Sequence, residues 1–211
     1  MTGPSRLLRP ERDPRDSPDA SLKAVRIELL GGFRFSVGSR AIGEDGWRLR
    51  KARGLIALLA LEPGHRMHRE RLMDLLWPDL DAGAAANNLR YALHVARRTL
   101  DPDPAAASCH LRLEGELLTL CPGGMSWVDV EAFEEAAANA RRLGEPAAYR
   151  AAIEMYAGDL LPQDRYEEWA EERRERLRRD LLALLVELAR LHEGRGELAS
   201  EAVQVVEIEG G

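Results

Sequence analysis

The residues best suited to recognition chemistry lie between Ala82 and Leu100, AGAAANNLRYALHVARRTL, a stretch with three arginines and no acid. At helical spacing, Leu89, Leu93, Ala96 and Leu100 fall within about 40° of each other and form a core arc. Asn87, Tyr91, His94 and Arg98 project opposite it. Arg90 and Arg97 flank that polar face on one side, Asn88 and Val95 on the other. An asparagine can bond an adenine edge at two points and an arginine a guanine, while a tyrosine meets a thymine methyl or a phosphate. Ala84, near the entry turn, leaves room for close backbone approach, and the first N–H groups of a helix favour phosphate. The face therefore suits a major groove. Asn87, Arg90, Tyr91 and His94 are expected at base edges, and Arg97 and Arg98 at phosphate. Arg48, Lys51 and Arg69, near the preceding helices, are expected to add phosphate contacts. The ordinary alternative for the helix is a solvated face with arginines placed by chance, and for His94, separately, a satisfied core histidine.

Other chemistry is poorly supported. His65, His68, Cys109, His110 and Cys121 are the possible metal ligands, but no HExxH or CxxC pair accompanies them. Cys109 and Cys121 bracket a hairpin and are read as two thiols and not as a bridge. Acidic residues are scattered over helix surfaces without the paired signature of a catalytic pocket. No enzyme activity, metal or cofactor is expected.

The charge balance looks wrong for a nucleic-acid partner until it is divided. The 211 residues carry a net charge of −6. Residues 1–122 hold nineteen basic against sixteen acidic side chains, and the remainder eleven against twenty. Residues 46–100 alone hold ten basic and five acidic. Such asymmetry signals two jobs on one chain. With 45% hydrophobic residues the chain can bury a core without staples. No apolar run approaches the roughly 18 residues of a membrane span, and the N-terminus lacks an apolar signal segment. A cytoplasmic protein without membrane contact is expected.

The elements that must position the polar face follow from period and punctuation. Residues 1–22, rich in Pro, Asp, Arg and Ser, read as a disordered tail. AVRIELLGGFRFSVGSRAI alternates around Gly31-Gly32 as a hairpin or small sheet. From Arg48 the period lengthens, and Leu55, Leu58, Leu59 and Leu61 mark a first helix stopped by Pro63-Gly64. A second helix spans His68 to Trp77 and ends at Pro78. The third spans Ala82 to Leu100, with Asp81 as its cap and Asp101-Pro102 closing it. HLRLEGELLTL then reads as a hairpin whose tip carries Arg112, Glu114 and Gly115; Arg112 is the candidate wing contact. Sheet, three helices and hairpin is the order of a winged helix.

From Trp127 onward the pattern reads as entirely helical, with helices at Val130–Arg142, Ala147–Tyr156 and Tyr166 to about His192. The run EERRERLRRD is expected to be a solvated face laced by Glu172–Arg176 and Glu175–Arg179 pairs. Leu177, Leu181, Leu184, Leu188 and Leu191 supply the packing stripe behind it. Antiparallel helices on short connections suggest a tetratricopeptide-like array, although no clean 34-residue repeat is present.

The segments RKARGLIALLALEPGHRMHRERLMDLLWPD, AAANNLRYALHVARRTL and LRLEGELLTLCP resemble the OmpR-like winged helix of the Streptomyces antibiotic regulatory protein (SARP) type of transcriptional activators. WVDVEAFEEAA, YAGDLLPQDRYEEWAEERRERLRR and LLALLVELARLHEGRGEL resemble that family's bacterial transcriptional activator domain. The resemblance implies a mainly α fold with small β: a winged helix-turn-helix domain over 23–124 and a tetratricopeptide-like helical domain over 125–211. It makes Ala82–Leu100 the recognition helix, His68–Trp77 the positioning helix and the 110–120 hairpin the wing. It implies double-stranded promoter DNA, often direct repeats, and RNA polymerase as partners, with self-association through the helical domain. Three departures stand out. His68 replaces the usual Ser or Thr cap, the helical domain ends before the family's further helices, and no GxxxxGK[ST] loop of the larger relatives is present. The rival reading is a helical adaptor whose winged helix binds protein; the acidic half would suit it, but a protein-binding wing would not require the acid-free helix face.

Overall fold

A computed structural model describes residues 25–102, 110–123 and 126–194. The tail expected over 1–22, Cys109, and the closing GELASEAVQVVEIEGG lie outside these residues. Strands β1 (Val25–Glu28), β2 (Arg34–Val37) and β3 (Arg40–Ile42) form an antiparallel meander. Its register aligns Ile27, Phe35 and Ile42 across the sheet, and all three are buried. Helix α1 (Arg50–Leu61) follows, then β4 (Arg66–His68), α2 (Arg69–Leu76) and α3 (Ala82–Leu100). The hairpin β5 (Leu111–Glu114) and β6 (Leu117–Leu120) turns at Gly115, whose positive φ of 59° suits a residue without Cβ. After β7 (Ser126–Val128) come α4 (Asp129–Leu143), α5 (Pro146–Glu154) and α6 (Glu171–Gly194).

The expected architecture is present: a small sheet, three helices and a hairpin, followed by tetratricopeptide-like helices. Helix α1 lies at its centre. Residues Leu55 to Ala60 are all buried, far more than the four-leucine stripe requires, because α2, α3, β4 and β6 surround the helix. Helix α3 matches its expected bounds, and Asp81 caps it by accepting from the Gly83 and Ala84 amides at 2.9 and 3.0 Å. Helix α2 starts one residue later than expected. Its flanking His68 makes no side-chain cap bond, because that residue ends β4, paired with Leu117 of β6.

Three expectations for the acidic half need correction. Trp127 does not open a helical region but lies in β7, which pairs parallel with β1 (Arg26↔Trp127) and adds a fourth strand to the first sheet. The Arg26 guanidinium sits 3.6 Å above the Trp127 ring. The long helix begins at Glu171 and not at Tyr166, because Pro162–Asp164 and Glu168–Ala170 form single 3₁₀ turns. EERRERLRRD is a solvated face only in part: Glu171, Glu172, Glu175, Arg176 and Arg179 are exposed, but three of its arginines turn to tertiary partners. Arg174 is buried, donating from Nε to the Leu160 carbonyl at 3.1 Å and from Nη2 to that of Asp164 at 3.3 Å. Arg173 reaches Glu134 on α4 at 2.8 Å, and Arg178 grips Asp159. Arg174 and Arg178 take tertiary partners because the preceding loop folds back over them and offers its carbonyls and a carboxylate, and Arg173 because α4 packs alongside.

The helical part and the winged helix share backbone contacts. The Gly31 amide donates to the Asp159 carbonyl and the Leu161 amide to that of Leu29, each at 2.9 Å. Gly31 and Gly158 meet so closely that a Cβ on either would lie 3.0 Å from backbone of the other loop. The Asp129 carboxylate completes the junction, accepting from the Leu29, Leu30 and Val130 amides at 2.8 Å. Among the described residues, no helix is long and apolar enough to cross a membrane.

Candidate nucleic-acid interface

The core arc of α3 is buried as its periodicity requires: Leu89, Leu93, Ala96 and Leu100, joined by Ala85 and Ala92. Asn87, Arg90, Tyr91, His94 and Arg98 are exposed together on the outer side, and Tyr91 is 62% exposed, an unusual place for a large ring. His94 is thus on the surface and not in the core. Asn87 Oδ1 accepts from Arg90 Nη1 at 2.8 Å, so the two side chains are held side by side before any ligand arrives. Because Asp81 occupies the Gly83 and Ala84 amides, two of the N–H groups expected to favour phosphate are already satisfied within the chain.

The basic residues expected at phosphate divide sharply. Lys51 is drawn away: its Nζ lies 3.1 Å from Glu167, in a cluster where Arg50 and Arg53 also hold Asp164. Arg69 pairs with Glu116 at the hairpin turn, at 3.2 Å. Arg97 is half-buried and donates from Nε to the Leu111 carbonyl of β5 at 3.2 Å, tying α3 to the hairpin. Arg112 lies 3.5 Å from Glu114. Arg48 and Arg98, by contrast, are exposed and have no hydrogen-bond or ion-pair partner among the described residues. Both line one cleft, between β3, the Gly46–Leu49 segment and the exposed side of α3, where Arg40, Tyr91 and His94 also face.

Arg40 was not singled out from the sequence. It donates to the Thr99 and Leu100 carbonyls, capping the negative end of α3 and fixing that helix against the first sheet. Asp129 was also missed. Burial raises its pKa above the usual carboxylate range, against the lowering pull of its three amide donors. No local pattern marks either residue, since both partners lie far off in sequence.

The candidate metal ligands are not gathered. His65 sits between Ser126 Oγ at 3.1 Å and Glu131 Oε1 at 3.0 Å, and His110 contacts Asp101. Cys121 is buried. Among the described residues, no group of three or more His, Cys, Asp or Glu side chains is placed to hold a metal ion.

The fold defines a winged helix followed by a tetratricopeptide-like helical region. It is similar to a solved structure of Mycobacterium tuberculosis EmbR in complex with a low affinity phosphopeptide, with a TM-score of 0.69 and 16% identity. The similarity covers 88% of this chain and 50% of that one, so the chain spans about half the length of the protein it matches. At that identity the likeness establishes the fold. No protein-family model matches the chain, and no curated protein matches it.

Proposed function

We propose that this chain is a sequence-specific DNA-binding transcriptional regulator of the SARP type, not an enzyme. The observation that carries this is the outer face of α3: Asn87, Arg90, Tyr91, His94 and Arg98 exposed together, with no acid between Ala82 and Leu100. A winged helix places such a face in the major groove. Asn87, Arg90, Tyr91 and His94 read base edges. Arg48 and Arg98, which have no partner among the described residues, bind phosphate. Lys51, Arg69 and Arg97 are engaged within the chain and act mainly by holding α1, the hairpin and α3 in place.

The finer reading is an activator that binds promoter repeats and recruits RNA polymerase, with the helical region as its protein-binding part. That region's excess of acid repels DNA, and α6 presents Leu182, Leu185 and Val186 to solvent, which supports protein contact and self-association there. The test is a gel shift of the full chain on mixed-sequence and promoter duplexes across a salt series. Affinity falls steeply with salt and is higher on the cognate promoter. Absence of any shift at low salt, with partner capture retained, would favour the protein-binding adaptor.

A further inference from the structure

A winged helix ordinarily has two flanks from which to grip the backbone on either side of its recognition helix, and here they differ in charge. On the hairpin flank the turn carries Glu114 and Glu116, and three cations beside it are already engaged: Arg112 with Glu114, Arg69 with Glu116, and Arg97 with the Leu111 carbonyl. Arg66, exposed on β4 and in register with Thr119, is the cation of that sheet left without a partner among the described residues. A phosphate approaching that turn meets carboxylates. On the other flank, the cleft between α3 and β3 is lined by Arg40, Arg48 and Arg98 with His94 and Tyr91, and among the described residues no carboxylate lines it. Most arginines of the described residues have an acid or a carbonyl to hold. Arg48 and Arg98 have neither, although they approach the same cleft from two separate elements. Two like charges left unpaired in one cleft repel each other and gain from an anion between them.

We propose that this cleft seats the DNA sugar-phosphate backbone, with Arg48 and Arg98 as its phosphate ligands, so that the first sheet's flank and not the hairpin tip anchors the duplex. The inference rests on the DNA-binding reading above and specifies its backbone contact. Tyr91 and His94 sit where the cleft opens onto the recognition face, so a strand held there runs directly beside the base-reading residues. Arg40 is the positioning residue. Its bonds to the Thr99 and Leu100 carbonyls keep the two walls at a fixed separation.

The experiment measures binding of the full chain to a fluorescein-labelled duplex of mixed sequence by anisotropy, over a salt series. Arg48→Ala, Arg98→Ala, Arg112→Ala and Tyr91→Ala are compared. Arg48→Ala and Arg98→Ala each weaken binding about fivefold or more and each lower the slope of log affinity against log salt by about one. The double variant loses less than the sum of the two, because both act on one stretch of backbone. Arg112→Ala changes little. Neither cleft arginine has a structural partner among the described residues, so circular dichroism melts stay at the parent midpoint. An Arg112→Ala loss equal to or greater than those of Arg48→Ala and Arg98→Ala overturns the proposal in favour of the hairpin. Unchanged affinity and slope for both cleft variants, with Tyr91→Ala still weakening binding, overturns the cleft but leaves DNA binding standing. A folded parent chain that binds no duplex at low salt overturns both.

Discussion

Arg53 and Asp164, more than a hundred residues apart, form an ion pair in which Arg53 Nη2 donates to both carboxylate oxygens, at 2.8 and 2.9 Å. Their side chains are only 11% and 4% exposed, so water screens the pair little. Arg50 joins from the first turn of α1, and neighbouring Glu167 takes Lys51 and the Trp169 indole. An acidic loop of the helical region is thereby clasped to the basic start of the central helix. Asp164→Ala leaves two arginines facing a void, and breaking a buried pair of this kind costs about 3–5 kcal/mol. Urea unfolding of the full chain should show the midpoint falling accordingly. An unchanged midpoint would mean that the clasp contributes no stability.

Gly31 and Gly158 predict a second loss by a different mechanism. Both adopt positive φ, at 78° and 153°, and each would place a Cβ 3.0 Å from opposing backbone. Gly158→Ala should cost about 1–3 kcal/mol through backbone strain and a clash with neither loop free to move. Gly115→Ala is the control, since its Cβ meets nothing within 4 Å and only its φ is unfavourable. A thermal melt that ranks Gly115→Ala as the more damaging change would contradict this account.

A fragment of residues 23–124 is attractive as a minimal DNA-binding unit, but the strand pairing argues against its stability. It lacks β7, leaving one edge of β1 unpaired, and it lacks Asp129, leaving the Leu29 and Leu30 amides without their acceptor. Buried donors without partners cost about 1–3 kcal/mol each. The fragment should melt well below the full chain, and amide exchange should accelerate first in β1.

Readout and stability should separate on α3. Asn87 lies on the face opposite the core and contacts only Arg90 among the described side chains. Asn87→Ala should therefore cost about 1–3 kcal/mol on a cognate promoter and flatten discrimination between sites. Its unfolding free energy should remain within about 0.5 kcal/mol of the parent. Retained promoter preference with a sharp drop in melting temperature would make Asn87 structural.

The Asp159–Arg178 pair gives a pH dependence of definite sign. The hydrogen bond from Arg178 holds the Asp159 carboxyl below its ordinary value of 3.8. A carboxylate favoured in the folded state contributes its full stability above that ordinary value and loses it as pH falls through the lowered one. Asp159→Asn should therefore flatten the acid limb of the stability profile below about pH 4 and leave its shape at neutral pH unchanged. An acid limb as steep as the parent's would place the titrating group elsewhere.

Helix α3 was legible from the sequence in its bounds, its cap and its two faces. The reason is local. A 3.6-residue period, an Asp at the N-cap and an Asp-Pro stop all act within a turn or two of the residues they define. The hairpin at Gly115 and the central helix were readable for the same cause. The strands β4 and β7 were not, because three residues carry no usable period and their partners lie roughly fifty and a hundred positions away.

The side-chain inventory was likewise set by the sequence, but not the destination of its charges. Arg48 and Lys51 stand three positions apart and look equivalent as text. Leu49 between them is extended, so Arg48 turns into the cleft beside Arg98 while Lys51 lies in the first turn of the helix and meets Glu167. The arginines of α6 read as a solvated run, yet Arg174 is buried against two carbonyls of a loop folded over it. Ion pairing depends on distance through space and on burial, and neither is encoded by spacing along the chain. Sequence alone thus determined which helix presents an acid-free polar face. Tertiary structure decided which cations near it remain free to meet a ligand.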